Sequence, residues 1–190
     1  MGNRNREPVV LREPPKHNQK VMIEAAPSTS MARPTVSPAG STLTLPSDTT
    51  LQIVRSFNAS RDRVWRAFTD PKLVPQWYGL AAHPMTICEM DVRPNGKFRW
   101  GWGPNGSAFM TGGVFHDVEK PRLLVMESRD PDPTPEFRSH TFTEAGSRTT
   151  VTILITTATK QLRDEMLAMD MQAGMDEGFV RLDSFLPNLA

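Results

Sequence analysis

Polar and apolar residues alternate through Leu51-Gln-Ile-Val-Arg-Ser-Phe57, which predicts a strand with Leu51, Ile53 and Phe57 facing inward. Thr42–Leu45 alternates as well, and Pro46-Ser-Asp48 between them is a turn signal. The period then changes. Val64, Trp65 and Phe68 fall on one stripe of a short helix that Ser60 is placed to cap, with Asp62 in its first turn. Asp70-Pro71 ends that helix, because a residue before proline is pushed out of the α region. A second short helical turn leads into Gln76-Trp77-Tyr78-Gly79.

Strand-like periodicity returns from Met85 to Thr157. Cys88, Met90 and Val92 share one face, with Glu89, Asp91 and Arg93 on the other. Pro94-Asn-Gly96 is a hairpin turn, and Phe98, Trp100 and Trp102 then alternate on a single face. Gly112-Gly113, midway along a longer strand, predicts a bulge that bends the sheet. Short turns between sequential strands imply an antiparallel sheet of about six to seven strands. Residues Lys160 to Leu186 resume the helical period, with Thr159 as cap and Pro187 as stop. Leu167, Met171, Met175, Phe179, Leu182 and Leu186 recur every three or four residues, predicting one long helix. Gly174 and Gly178 each cost a helix interior about 1 kcal/mol relative to Ala. Their presence implies that the backbone there approaches a neighbour closely or leaves room beneath it.

Composition adds an appendage to this domain. Residues 1–40 carry six Lys or Arg against three Glu, are rich in proline and have no Phe, Trp or Tyr. Such a segment has little apolar surface to set against its ordering entropy, so a disordered basic tail over 1–40 is expected, followed by one domain over 41–190. The domain itself is mildly acidic, a poor match for nucleic acid. Cys88 is the single cysteine, which excludes an intrachain disulfide and favours a cytoplasmic setting. No window approaches the 18 or so apolar residues of a membrane span.

Specific chemistry is sparse. Gly101-Trp-Gly-Pro-Asn-Gly106 fits the dinucleotide pattern letter by letter, but strands flank it on both sides where a helix must follow. There is no Cys-x-x-Cys or His-Glu-x-x-His, so neither metal nor cofactor is expected. Cys88 lies on an apolar strand face and reads as a small hydrophobe. Glu127 alternates with Met126 and reads as outward-facing. His116 and His140 have the strand parity of apolar neighbours, so either could enter a cavity as a base or hydrogen-bonding group, or be satisfied structurally.

Several stretches together are similar to one family. Phe57-Asn-Ala-Ser60, Val64-Trp65, Phe68-Thr-Asp-Pro71 and Trp77 resemble the opening of START-like (SRPBCC, Bet v 1-like) proteins. Asp91-Val-Arg-Pro-Asn-Gly96, Gly113-Val-Phe-His-Asp-Val118, Pro121-Arg-Leu123 and the closing Gly174 to Leu186 resemble, more narrowly, the branch named after the activator of heat-shock protein 90 ATPase. Two residues depart from that pattern: Asn95 where Gly-Gly is usual, and Phe179 where Trp is frequent.

The resemblance implies an α+β helix-grip fold: a curved antiparallel sheet, two short helices after the first strand, and a long C-terminal helix over a cavity. It implies fold more than function. Candidate lining residues are Trp65, Phe68, Trp77, Tyr78, Met90, Phe98, Trp100, Phe115, His116, His140, Met171, Met175 and Phe179, with Arg99 or a histidine as the polar contact. Core packing is the plainer reading for most of them.

Three functions remain open at this level. The first is non-catalytic binding of a small hydrophobic or aromatic molecule. The second is a co-chaperone-like module that binds a heat-shock protein 90 relative. The third is a polyketide cyclase or dehydratase type of enzyme using a pocket histidine.

Overall fold

A computed structural model describes residues 34–130 and 134–189. Nine antiparallel strands form one sheet in the order β1-β2-β3-β9-β8-β7-β6-β5-β4. They are β1 (Thr35–Val36), β2 (Thr42–Ser47), β3 (Thr50–Phe57), β4 (Met85–Met90), β5 (Lys97–Trp102), β6 (Phe109–Glu119), β7 (Leu123–Asp130), β8 (Glu136–Ala145) and β9 (Arg148–Thr156). With three α-helices, α1 (Arg61–Thr69), α2 (Lys160–Ala168) and α3 (Met171–Phe185), the architecture is consistent with an α+β helix-grip fold.

The sheet exceeds the expected six to seven strands. The two-residue β1 pairs with β2 and lengthens the edge beside β3. The first described strand thus lies before residue 41, while the rest of the expected tail, residues 1–33, lies outside the described residues.

Alternation fixes which faces are buried. Leu51, Ile53 and Phe57 of β3 and Val151, Ile153 and Ile155 of β9 are sealed from solvent. The register Ile53↔Ile153 brings these two rows together. Helix α1 buries Val64, Trp65 and Phe68 against this face, with Trp65 and Phe68 each edge-on to Phe142 at 5.3 Å. The capping differs from expectation. The Ser60 side chain makes no capping bond, and Glu144 from the β8 end accepts from the Arg61 amide at 2.9 Å. A 3-10 turn at Val74–Gln76 follows and delivers Trp77 to the core.

Gly113 explains the bend in β6. A Cβ there would stand 1.8 Å from the Glu127 carbonyl oxygen, and the β6–β7 register shifts between Gly112 and Gly113. Gly101 and Trp102 end β5, and the chain from Gly103 passes through a 3-10 turn at Pro104–Gly106 into β6, a hairpin rather than a nucleotide loop.

The C-terminal helix is broken. Thr159 caps α2 by accepting from the Leu162 amide, as its position implies, but the helix stops at Ala168. Asp170 adopts φ 52°, the left-handed region that Asp tolerates better than most residues, and α3 starts anew. One left-handed residue barely disturbs the spacing of the apolar stripe, so periodicity does not reveal the elbow. Helix α3 buries Phe179, Leu182 and Asp176, and Phe179 packs edge-on to Phe57 of β3 at 5.7 Å.

Candidate functional site

Between α2–α3, the Trp77–Leu80 loop and β5–β6 lies a cleft of about 710 Å³. At its floor a much smaller chamber of about 20 Å³ reaches toward β7, β8 and β9. Trp77, Tyr78, Trp100, Arg138, Met175 and Phe179 line both. The chamber is large enough for about one water molecule. Phe68, Met90, Leu124, Met126 and Ile153 fill the remaining interior. Space for a molecule of any size is therefore in the outer cleft.

Helix α3 holds the Trp77–Ala81 loop in place. A Cβ at Gly178 would stand 2.8 Å from the Trp77 carbonyl oxygen, so only glycine permits this approach without a shift. Arg181 donates to the Trp77 carbonyl at 2.9 Å and also to that of Gly79. Glu177 accepts from the Ala81 amide at 2.7 Å and from Arg181 at 2.7 Å. These contacts hold its carboxyl below the usual range, the Ala81 amide first and Arg181 second. The Trp77 indole donates to the Ala67 carbonyl at 2.9 Å, which fixes its ring against Phe68 at 4.6 Å.

Tyr78 forms the wall beside Trp77. Its ring lies edge-on to Trp100 at 5.3 Å, and its hydroxyl accepts from Arg138 Nη1 at 2.9 Å. Arg138 Nε in turn donates to Glu136 at 2.5 Å. Burial by itself would lower the Arg138 pKa, but the Glu136 carboxylate and Tyr78 outweigh it and hold the guanidinium charged. His140, two residues along β8, is 9 % exposed and its Nδ1 has no partner. Burial first, then the Arg138 charge, push its pKa down to about 3, against a weaker backbone contact to Leu124. The imidazole is neutral at ordinary pH.

The expected residues separate into groups. Phe68, Met90 and His140 line the chamber; Met171 lines the cleft; Trp77, Tyr78, Trp100, Met175 and Phe179 line both. Trp65, Phe98 and Phe115 are core residues away from both spaces, with Phe98 packed between Trp100 and Phe115. His116 also lies elsewhere. It pairs with Glu127 at 2.5 Å on the sheet face opposite Met126, where its ring lies 5.8 Å from Phe137. Arg129 completes that cluster.

Glu127 does turn away from Met126, yet it is 1 % exposed, because His116 covers it. Burial pushes its carboxyl up, but hydrogen bonds and charges from Arg129 and His116 prevail and hold it below the usual range. Arg99 is exposed beside Glu89, so the cationic residue lining the cleft is Arg138 instead. The β8 pattern contained that signal: Arg138 has the parity of His140 and Phe142. Trp102, Phe109, Leu80, Met166 and Met169 are further lining residues that the candidate set omitted.

Cys88 packs against the core, and burial, with a smaller contribution from Asp70, pushes its thiol up to about 11. Among the described residues no three His, Cys, Asp or Glu side chains group as metal ligands, and no helix is long and apolar enough to cross a membrane.

Solved structures share this architecture. A Rhodobacter sphaeroides protein is 29% identical with a TM-score of 0.68, over 75% of this chain and 95% of that one. A Mycobacterium smegmatis protein is 23% identical with a TM-score of 0.66, over 85% of this chain and all of the other. CalU16 from Micromonospora echinospora, at 21% identity and a TM-score of 0.54 over 83% of this chain and 85% of its own, shares the fold. No functionally curated protein matches the chain. The family model described as "Activator of Hsp90 ATPase homolog 1-like protein" matches residues 58–186, a span that runs from before α1 to the end of α3. On that match and this fold, the chain belongs to the activator of Hsp90 ATPase homolog 1-like branch of the START-like superfamily.

Proposed function

We propose that this protein binds a small hydrophobic or aromatic molecule, without transforming it, in the cleft under α2–α3. The observation that carries this reading is the cleft itself, about 710 Å³ and walled by Trp77, Tyr78, Trp100, Trp102, Met171 and Met175. That size and lining are typical of small-molecule sites, and methionine adapts to irregular ligands. Leu80, Phe109 and Met169 stand exposed at its mouth, an apolar approach for such a ligand.

The enzyme alternative has less support. A base with a pKa of about 3 has little proton affinity near neutrality, which is the environment given to His140. The His116–Glu127 pair lies on the other face of the sheet. The chaperone alternative rests on the family description alone. The outer-face charges include the exposed pairs Arg93–Asp91 and Arg99–Glu89, which form no apolar patch for a partner.

A thermal-shift screen of the full chain against aromatic and lipid-like compounds tests the reading. A cleft ligand at a hundredfold excess over Kd should raise stability by about 2.7 kcal/mol. Ala173→Trp, an exposed position on the cleft wall, should abolish that shift while leaving the unliganded Tm within a few degrees. Shifts that survive this substitution would place binding elsewhere, and a pull-down for a chaperone partner would follow.

A further inference from the structure

The β1–β2 hairpin lies along α3 and is pinned to it at both ends. At its tip Arg55 donates to the Ala39 carbonyl and to Asp183, late in α3. At its open end Gln172, in the first turn of α3, donates to the Thr35 carbonyl at 3.4 Å and to the Ser41 hydroxyl at 3.2 Å. The chain upstream of Thr35 therefore departs past the N-terminal end of α3. Because β1 is antiparallel to β2, that is also the direction in which β2 runs, and its last residue, Ser47, accepts from Arg163 of α2 at 2.9 Å. Residue 34 thus points toward the α2–α3 elbow, where Met169 and Asp170 border the cleft.

The mouth there is apolar with an acidic excess. Leu80, Phe109 and Met169 are 42, 53 and 74 % exposed. Glu136, Asp170 and Glu177 line the cleft and Glu165 the gap beside α2, against Arg138 and Arg129. Both arginines are taken, Arg138 by Glu136 and Arg129 by Glu127, and Glu177 has Arg181. Among the described residues Asp170 and Glu165 have no basic partner. The complement of such a mouth is a short apolar run beside a cation.

Residues 1–33 contain two runs of three large apolar residues, Val9-Val-Leu11 and Val21-Met-Ile23, and Lys20 stands directly before the second. Ten residues, 24–33, separate Ile23 from Pro34. Extended, ten residues span up to about 33–36 Å, whereas a helix with its side chains is only about 10–12 Å across. The second run is therefore within reach of the mouth. A tether of that length holds it there at an effective concentration in the millimolar range, an advantage that neither a free partner nor a second copy has. Val9–Leu11 is twelve residues further along and correspondingly more dilute.

We infer that Lys20-Val-Met-Ile23 docks intramolecularly across the cleft mouth, with its apolar residues on Leu80, Phe109 and Met169 and its ammonium facing Asp170. Anything that enters the cleft then has to displace this segment. The docking concerns the mouth alone and holds whatever the cleft binds.

A nitroxide attached at Ala25→Cys in the full chain, with Cys88→Ala to leave a single thiol, reads the contact by nuclear magnetic resonance. The amide signals of Leu80, Phe109 and Met169 should weaken at least twofold. That of Gly146 should not, because it lies beyond the far end of β8, about 30 Å from Glu136. Val21→Ser, Met22→Ser and Ile23→Ser together, in the same labelled chain, should restore the three signals. Should the Cys88→Ala background fold poorly, Cys88 can be kept, since its thiol is buried and pushed up to about 11 and so reacts slowly. Full intensity at the mouth would overturn the docking, and so would weakening that survives the triple substitution or that centres on other residues. Equal weakening in isotope-labelled chains that carry no nitroxide, mixed with chains that do, would give the mouth to a second copy and overturn the intramolecular contact.

Discussion

Gly178 of α3 sits so close to the Trp77 carbonyl that a Cβ would stand 2.8 Å from the oxygen, whereas at Gly174, one turn earlier, the nearest atom would be Leu80 Cδ2 at 3.6 Å. Two glycines of one helix thus face opposite constraints. Gly174→Ala should stabilise the protein by up to about 1 kcal/mol through helix propensity. Gly178→Ala should destabilise it by about 1–3 kcal/mol, because backbone must move. Urea unfolding of the two variants measures both, and a stabilised Gly178→Ala would refute the close approach.

His140 makes stability depend on pH. Its folded pKa of about 3 lies below the ordinary value near 6.5, so the unfolded chain takes up the proton first. Stability is full above about pH 6.5 and falls as pH drops from there toward 3, by up to about 1.4 kcal/mol per pH unit. His140→Phe should flatten the stability profile between about pH 6 and 4.5. An unchanged slope would mean that the imidazole is protonated in the folded protein.

Glu127 acts in the same direction but in a lower range, and there it is the charged form that the fold favours. Its carboxyl is held below the usual value by Arg129 and His116, against burial. Its contribution is present above the ordinary glutamate pKa, about 4.3, and is lost as pH falls through the lower folded value. Glu127→Gln should cost about 1–3 kcal/mol at pH 7. The difference from wild type should shrink below about pH 4. A gap that stays constant to pH 3 would show that the carboxylate is not the form that matters.

Cys88 should react slowly. A thiol with a pKa of about 11 is almost wholly protonated at pH 8, and its side chain packs against the core. Labelling by an aromatic disulfide reagent at pH 8 should be at least a hundredfold slower than that of free glutathione, rising to the free rate in denaturant. Rapid labelling of the native protein would show the strand to be open to solvent.

The sequence made some of this legible. Alternation located the buried residues of β3, and the order of strand, small helices, strands and final helix matched the family's architecture. Three features lay below its resolution. The elbow at Asp170 depends on one backbone angle, and the residues on either side keep the apolar spacing of a continuous helix. His116 sits between Phe115 and Asp117, where the β6–β7 register shifts, and apolar residues on both strand parities made its facing ambiguous. Arg138 shares the parity of His140 and Phe142, but a charge on a strand is ordinarily assigned to solvent. Only the partners Tyr78, 60 residues earlier in sequence, and Glu136 make its half-buried place tenable. The cleft walls were legible where they doubled as core, as at Trp77 and Phe179, and hidden where they belonged to the rim.

The division between a nearly filled chamber and a roomy cleft has a bearing on how this protein changes over generations. Leu80, Phe109 and Met169 border the cleft yet stand largely in solvent. Exchanges at such positions usually alter stability by no more than about 0.5 kcal/mol. A lineage, or an engineer, can therefore reshape what is admitted at the mouth while Phe57, Phe142 and Phe179 go on specifying the same fold beneath it.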